Sequence, residues 1–223
     1  LLSEHTVFAA PGYSNFLLAH LDGPSTCARK SRLLRAFREF FLGGMGVPTP
    51  AARSNERLRV VVVSRRPYDK FVGHAFVGRQ VDNEQELMEA FQASGGADAF
   101  LAAGADVKLV DLVHLDFAEQ LELIASTDIL VGMHGAALSY AAFLPPWAGV
   151  LELWPKTTKM WRCFEHLAHL SGVAYQRWAN PDKSRYREDK QGDYTTLDVP
   201  AVVELAKTLA KAVREERRNL GLA

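Results

Sequence analysis

The sequence predicts an α/β protein built on a doubly wound parallel sheet, and three observations carry the prediction. Arg59-Val60-Val61-Val62-Val63-Ser64 is an unbroken β-branched run, as expected of a strand buried on both faces. Such apolar runs alternate with helix-period segments along most of the chain, the rhythm of strand–helix–strand units in one sheet. Around 129–143 an apolar strand stops at Gly132, His134 stands in a turn before Gly135, and a helix-compatible run opens at Ala136. In an open sheet such a junction lies at the carboxyl edge, where ligands bind and the free N–H groups of the new helix favour a phosphate.

The elements follow in order. Thr6–Ala10 and Ser14–Leu18 read as weak short strands or loop. Lys30–Leu42 carries Leu33, Leu34, Phe37, Phe40 and Phe41 at amphipathic-helix spacing, ended by Gly43, Gly44 and Gly46. Residues 47–56, with Pro48 and Pro50, read as a connection and the best internal boundary, dividing 1–50 from a lobe at 51–223. After the Val60–Val63 strand, Asn83–Phe91 is a helix with Leu87, Met88 and Phe91 inward. Asp106–Leu112 is a strand, Phe117–Ser126 a helix, and Ile129–Val131 and Gly149–Leu153 are strands around the junction. Lys159–Ser171 is a helix, Val173–Trp178 a last strand, and Val199–Arg218 a long terminal helix. Polar residues 179–196 read as a mobile surface loop.

Composition narrows the function. The 223 residues, 48% of them hydrophobic, suffice for a substantial core. With 26 basic and 26 acidic residues and no dense basic block before the last turn of the chain, the electrostatic footprint of a nucleic-acid binder is missing. The longest apolar runs fall far below the ~20 residues of a membrane span, so the chain reads as soluble. It begins at Leu1 without a signal sequence and reads as a piece of something longer, any membrane attachment lying outside it. Cys27 and Cys163 match no zinc spacing; one disulfide in an oxidising lumen and two buried thiols both stay open. Neither a Gly-x-Gly-x-x-Gly nor a Walker loop occurs, which disfavours a dehydrogenase.

Single residues carry two readings each. Asn83 and Glu86 have the spacing of a helix start, and a cap or a ligand contact stays open. Asp128 reads as a cap or turn residue, and Trp147 and Trp154 as packing. His166 and His169, one helical turn apart, lack a third metal ligand and read as surface residues. Glu152, inside Leu151-Glu152-Leu153, is a carboxylate in an apolar strand, either turned to solvent by alternation or, the favoured reading, ending the strand facing a ligand.

Four stretches resemble glycosyltransferase family 61: Val62-Val63-Ser64-Arg65-Arg66, Asp82-Asn83-Glu84-Gln85-Glu86-Leu87, Asp128 through Met133-His134-Gly135-Ala136, and Phe143-Leu144-Pro145-Pro146 through Glu152-Leu153. Within that family, Arg162–Leu170 and Val173–Trp178 are most similar to a branch directed at EGF-like domains. One departure is Ala137 in Gly135-Ala136-Ala137-Leu138, where the family often has a second glycine; a helix tolerates the methyl. The resemblance implies the carboxyl-terminal, Rossmann-like lobe of a two-lobed GT-B transferase, inverting, with 1–50 bridging from an acceptor lobe outside the chain. It implies a UDP-sugar donor, GlcNAc favoured over xylose or arabinose, and a protein or glycan hydroxyl as acceptor. Negative charge gathers on the leaving diphosphate, and fixed cations and donors must meet it. Arg65 and Arg66 are expected to do so, one of them being free to face solvent instead, with His134 and the N–H groups of Gly135 and Ala136 beside them. Ser64 and Met133 flank the same strand ends, and Glu152 is expected to accept from ribose hydroxyls. No Asp-x-Asp occurs, so no metal and no cofactor are expected. The resemblance also implies a Cys27–Cys163 disulfide and the lumen of the endoplasmic reticulum or Golgi. The general base stays unassigned, and a non-catalytic nucleotide-binding remnant of the same fold is the alternative.

Overall fold

The computed structural model describes residues 31–48, 57–66, 77–93, 105–157 and 161–222. Thr6–Ala10, Ser14–Leu18, Cys27 and most of the connection before Arg57 lie outside them. A first helix, α1 (Arg32–Gly44), starts where the Ser31 hydroxyl accepts from the Leu34 N–H. Leu42, together with Val47 just beyond the helix, packs on Leu121 and Ala125.

Five strands form one parallel sheet: β1 (Leu58–Val63), β3 (Ala105–Val110), β4 (Ile129–Met133), β5 (Gly149–Trp154) and β6 (Ala174–Ala179), in the order β3-β1-β4-β5-β6. The predicted α/β parallel sheet is therefore what forms. Strand alternation divides the core. Val60, Val62, Ile129, Val131, Leu151 and Leu153 face α2 (Glu84–Gln92) and α5 (Val199–Asn219), while Val61, Leu130 and Val150 pack with Ile124 of α3 (Phe117–Ala125) and Ala168 of α4 (Cys163–Ser171). Burial on both faces explains the unalternating β-branched run. Each such side chain contributes roughly 1.5–3 kcal/mol.

Local chemistry sets the helix ends. Asp116 and Glu119 form a reciprocal capping box, both bonds 2.8 Å, at the start of α3. Asp198 caps α5, whose first turn holds Pro200. At Gly149 a Cβ would meet Leu209 of α5 at 2.6 Å, so the missing side chain lets that helix lie close on β5. Asp128 is structural, as expected: Oδ2 accepts from the Arg59 N–H and Oδ1 from the Trp147 indole, each at 2.8 Å.

Three expectations change. The strand does not stop at Gly132 but runs on to Met133, with Gly132 paired to Val63 and Glu152 and its bare face against Leu138. The run Ala136–Phe143 is a 3-10 rather than an α-helix; Leu138 N–H closes on Gly135 O, and the Ser139 hydroxyl takes the Ala136 carbonyl at 2.6 Å. Residues 179–196 are not simply loop. They hold β7 (Tyr186–Glu188) and β8 (Gly192–Thr195), which join β2 (Val77–Val81) in a second sheet ordered β2-β8-β7. These strands are short and polar because they sit at the surface, which hides their alternation.

Candidate functional site

The parallel sheet delivers Ser64, Asp111, His134, Pro155 and Asn180 to one edge, each directly after its strand. The backbone ladder continues into three of them. Ser64 N–H donates to Val110 O, His134 N–H to Leu153 O and Asn180 N–H to Trp154 O, at 2.8–2.9 Å. These positions are therefore held as firmly as the strands themselves.

Behind His134 lies a buried polar network centred on Glu152. That carboxylate is fully enclosed, its residue the direct register partner of both Gly132 and Arg177. A buried charge persists only when every lone pair is met. Here His134 Nδ1 lies 2.5 Å from Oε1, while the Tyr175 hydroxyl and Arg177 Nε (3.2 Å) donate to Oε2. Arg177 is tied in turn to the Tyr175 oxygen at 2.8 Å and to Glu165 at 3.0 Å. Burial, and then the Glu152 charge beside it, pushes the Tyr175 phenol far above its ordinary value, keeping it a donor. Burial pulls the Arg177 pKa down, but the Tyr175 and Glu152 oxygens outweigh it and the net shift is upward. The His134 imidazole is buried at 4% exposure, its ring against Trp154 at 3.8 Å and Phe164 at 5.0 Å. With Nδ1 committed to Glu152, the ring has one nitrogen, Nε2, left for a ligand.

Glu152 thus does not face a ligand as the sequence suggested. Three donors from neighbouring strands enclose it, and it can act only through His134.

On the β1 side Ser64, buried, donates its hydroxyl to both Glu84 oxygens at 3.0 and 3.1 Å, and exposed Arg66 pairs with the same carboxylate. Arg66 is accordingly engaged with protein. Arg65 turns the other way: a Cβ on Gly135 would collide with its Nη1, so the guanidinium lies on the backbone of the turn. Its Nε is buried without a hydrogen-bond partner among the described residues. Ser64, Arg65, Asp111, Met133 and Ala136 line one hollow of about 110 Å³. His134, Arg66, Glu152, Asn83 and Glu86 do not line it. Asn83 clamps the Leu197 backbone, accepting from its N–H at 2.7 Å and donating to its O at 3.1 Å, and donates to Glu86 at 2.8 Å. It makes no side-chain cap.

Tyr175, Arg177 and Glu84 were not singled out from sequence. Tyr175 and Arg177 share a strand face by alternation, a readable signal, but their neighbour Glu152 is set by strand order. His166, expected at the surface, is buried. Among the described residues no three His, Cys, Asp or Glu side chains converge as a metal site requires. Cys163 opens α4, its thiol pKa raised by burial and by the Glu152 charge. The expected Cys27–Cys163 bond involves a residue outside the described ones.

The family model described as Glycosyltransferase 61 matches residues 16–151. The EGF domain-specific O-linked N-acetylglucosamine transferase of Drosophila melanogaster is 37% identical over 152 residues, 68% of this chain and 25% of that protein. The protein of the same name from Xenopus laevis is 33% identical over 174 residues, 77% of this chain and 28% of its own length. The Rattus norvegicus protein is 32% identical over 167 residues, 74% of this chain and 28% of its own. The chain spans about a quarter of the length of these relatives.

Proposed function

Because the chain belongs to the glycosyltransferase 61 family, we propose that it is the nucleotide-sugar lobe of an inverting, GT-B-type transferase acting on a protein hydroxyl. The donor is a UDP-sugar. GlcNAc is favoured, supported by the names of the relatives, over xylose or arabinose. The observation that carries the reading is the seating of His134 on enclosed Glu152 at the sheet edge where Arg65 lies over Gly135.

The chemistry follows from that arrangement. As the bond from the anomeric carbon to the β-phosphate oxygen breaks, negative charge grows on the diphosphate. The planar Arg65 guanidinium suits two of its oxygens. Gly135 and Ala136 supply the unpaired N–H groups of the 3-10 run, and His134 offers Nε2–H. Glu152 fixes the ring's orientation and balances its positive charge when both nitrogens are protonated. Cations and backbone donors take the part a divalent ion would otherwise play, so no metal is required. The reading places the protein in the lumen of the endoplasmic reticulum or Golgi.

Calorimetry of the complete protein with UDP, UDP-GlcNAc, UDP-xylose and NAD tests it, followed by transfer assays on an EGF-like domain and a xylan oligomer. UDP binding that weakens about tenfold or more in His134→Ala is expected. Binding of NAD without UDP overturns the reading, and UDP binding without transfer to either acceptor favours a non-catalytic remnant.

A further inference from the structure

A second hollow opens along the same carboxyl edge, at the ends of β5 and β6. It measures about 310 Å³, and Pro155, Lys156, Asn180, Asp182, Lys183 and Tyr186 line it. Hydrogen bonds fix one wall: the Asn180 N–H donates to Trp154 O at 2.9 Å, and the Asp182 N–H donates to Asn180 Oδ1 at 3.1 Å. Asn180 is only 4% exposed, yet its Nδ2 donates to no group among the described residues. A buried donor left unpaired costs about 1–3 kcal/mol, and a ligand oxygen in the hollow removes that cost.

The lining chemistry narrows the ligand. The ammonium groups of Lys156 and Lys183 and the Asn180 amide donate, the Asp182 carboxylate accepts, and the Tyr186 hydroxyl does both. Such a mixture suits the hydroxyls of a sugar, each of which both donates and accepts. It suits a flat base less, because the Lys156 ammonium already lies over the Tyr186 ring, 4.0 Å from its centroid, and takes a face on which a base would stack.

The hollow also adjoins His134. Trp154 packs its ring on the imidazole, centroids 3.8 Å apart, and leads directly into Pro155. Neighbouring strands lie about 5 Å apart, so the ends of β5 and β6 stand roughly 5 and 10 Å from the end of β4. That is a step a hexose ring spans from a diphosphate held at the His134 turn.

We propose that this hollow seats the monosaccharide of the donor, with Asn180 Nδ2 donating to one of its hydroxyl oxygens. The inference rests on the nucleotide-sugar reading above and makes Asn180 a residue that selects the sugar rather than the nucleotide carrying it.

The test uses Asn180→Asp in the complete protein, which keeps an acceptor for the Asp182 N–H and removes the free donor. Calorimetry gives the affinities for UDP, UDP-GlcNAc and UDP-xylose. The readout is the ratio of the tighter-binding sugar nucleotide to UDP, in which any change felt by the shared nucleotide cancels. The expected result is a ratio shifted about fivefold or more against the sugar nucleotide, the loss of one hydrogen bond. An unchanged ratio overturns the proposal, whether both affinities fall together, as they would if the hollow held uridine, or neither moves. An intact ratio with a raised KM for the acceptor overturns it as well and gives the hollow to the acceptor. Lys156→Ala, at an exposed position, repeats the measurement with the same outcomes should thermal unfolding show that the first variant does not fold. Normal UDP binding with an unchanged ratio removes this inference alone, whereas failure of the unaltered protein to bind UDP removes the nucleotide-sugar reading with it.

Discussion

Glu152 on β5 meets His134, the residue after β4, at 2.5 Å across the sheet, and the carboxylate is wholly out of solvent. A charge in that position is tolerated because Tyr175 and Arg177 donate to its other oxygen. Glu152→Gln keeps the shape but replaces one acceptor oxygen by an NH2 donor facing groups that themselves donate. Breaking a buried pair in this way costs about 3 kcal/mol of stability and, through a misoriented imidazole, about tenfold or more in transfer. Tyr175→Phe removes one neutral donor and costs about 1 kcal/mol. Denaturant unfolding and steady-state rates on the same preparations check both. A Glu152→Gln enzyme with normal kcat would show the pair to be packing alone.

Gly135 owes its place to close approach, its φ of 166° being extended backbone open to any residue. Gly135→Ala should therefore fold normally but push the Arg65 guanidinium off the turn, since a Cβ there collides with Nη1. UDP binding falls about tenfold, and the thermal midpoint moves by no more than about 2 °C, because the displaced group is the end of a flexible side chain. If affinity holds, Arg65 does not touch the phosphates from where it rests.

The centre of the sheet was legible because β1, β4 and β5 are largely buried on both faces, where apolar runs such as Val60–Val63 fit. Strand order was not. Glu152 reads as a ligand-facing carboxylate until β6 is known to lie beside β5, which brings Tyr175 and Arg177 onto it. Likewise Asn83 and Glu86 attracted notice at a helix start, while Glu84 between them holds Ser64 and Arg66. The small sheet was missed because Val77–Val81 carries a bulge and Gly192–Thr195 is polar, leaving no clean period of two. The places of Arg65 and His134 at the sheet edge were legible because strand ends and glycine turns are local signals.

Cys163 lies half-buried at the first position of α4. In a luminal protein a bond to Cys27 is expected, closing a loop long enough to stabilise by about 4–5 kcal/mol on the chain-entropy account. Peptide mapping of the native, unreduced protein should recover the two cysteines linked. Two alkylated thiols in that map would refute the bond. In the reduced protein, burial and the Glu152 charge hold the Cys163 thiol above its ordinary pKa, so it alkylates slowly near neutral pH.

Glu84 carries the clearest pH dependence. It opens α2 beneath Ser64 and Arg66, and burial raises its pKa above the ordinary 4.5, against the pull of Arg66, Ser64 and the Arg65 backbone N–H. A raised folded value means that the native state holds the proton more tightly than the unfolded chain. The stabilising contribution is complete below 4.5 and is lost as pH rises through the folded value. Glu84→Gln retains an acceptor for Ser64 without the buried charge, so its stability relative to the unaltered protein should grow from about pH 4 to about pH 7. Glu165 runs the other way. Hydrogen bonds from Arg162 hold it low, so its contribution is present above its ordinary value and lost on acidification, and Glu165→Gln should lose most at about pH 7. Urea midpoints for the three proteins at several pH values decide the matter. Should Glu84→Gln fall behind as pH rises, the Arg66 attraction outweighs burial, and Glu84 would be a conventional paired carboxylate anchoring β1 to α2.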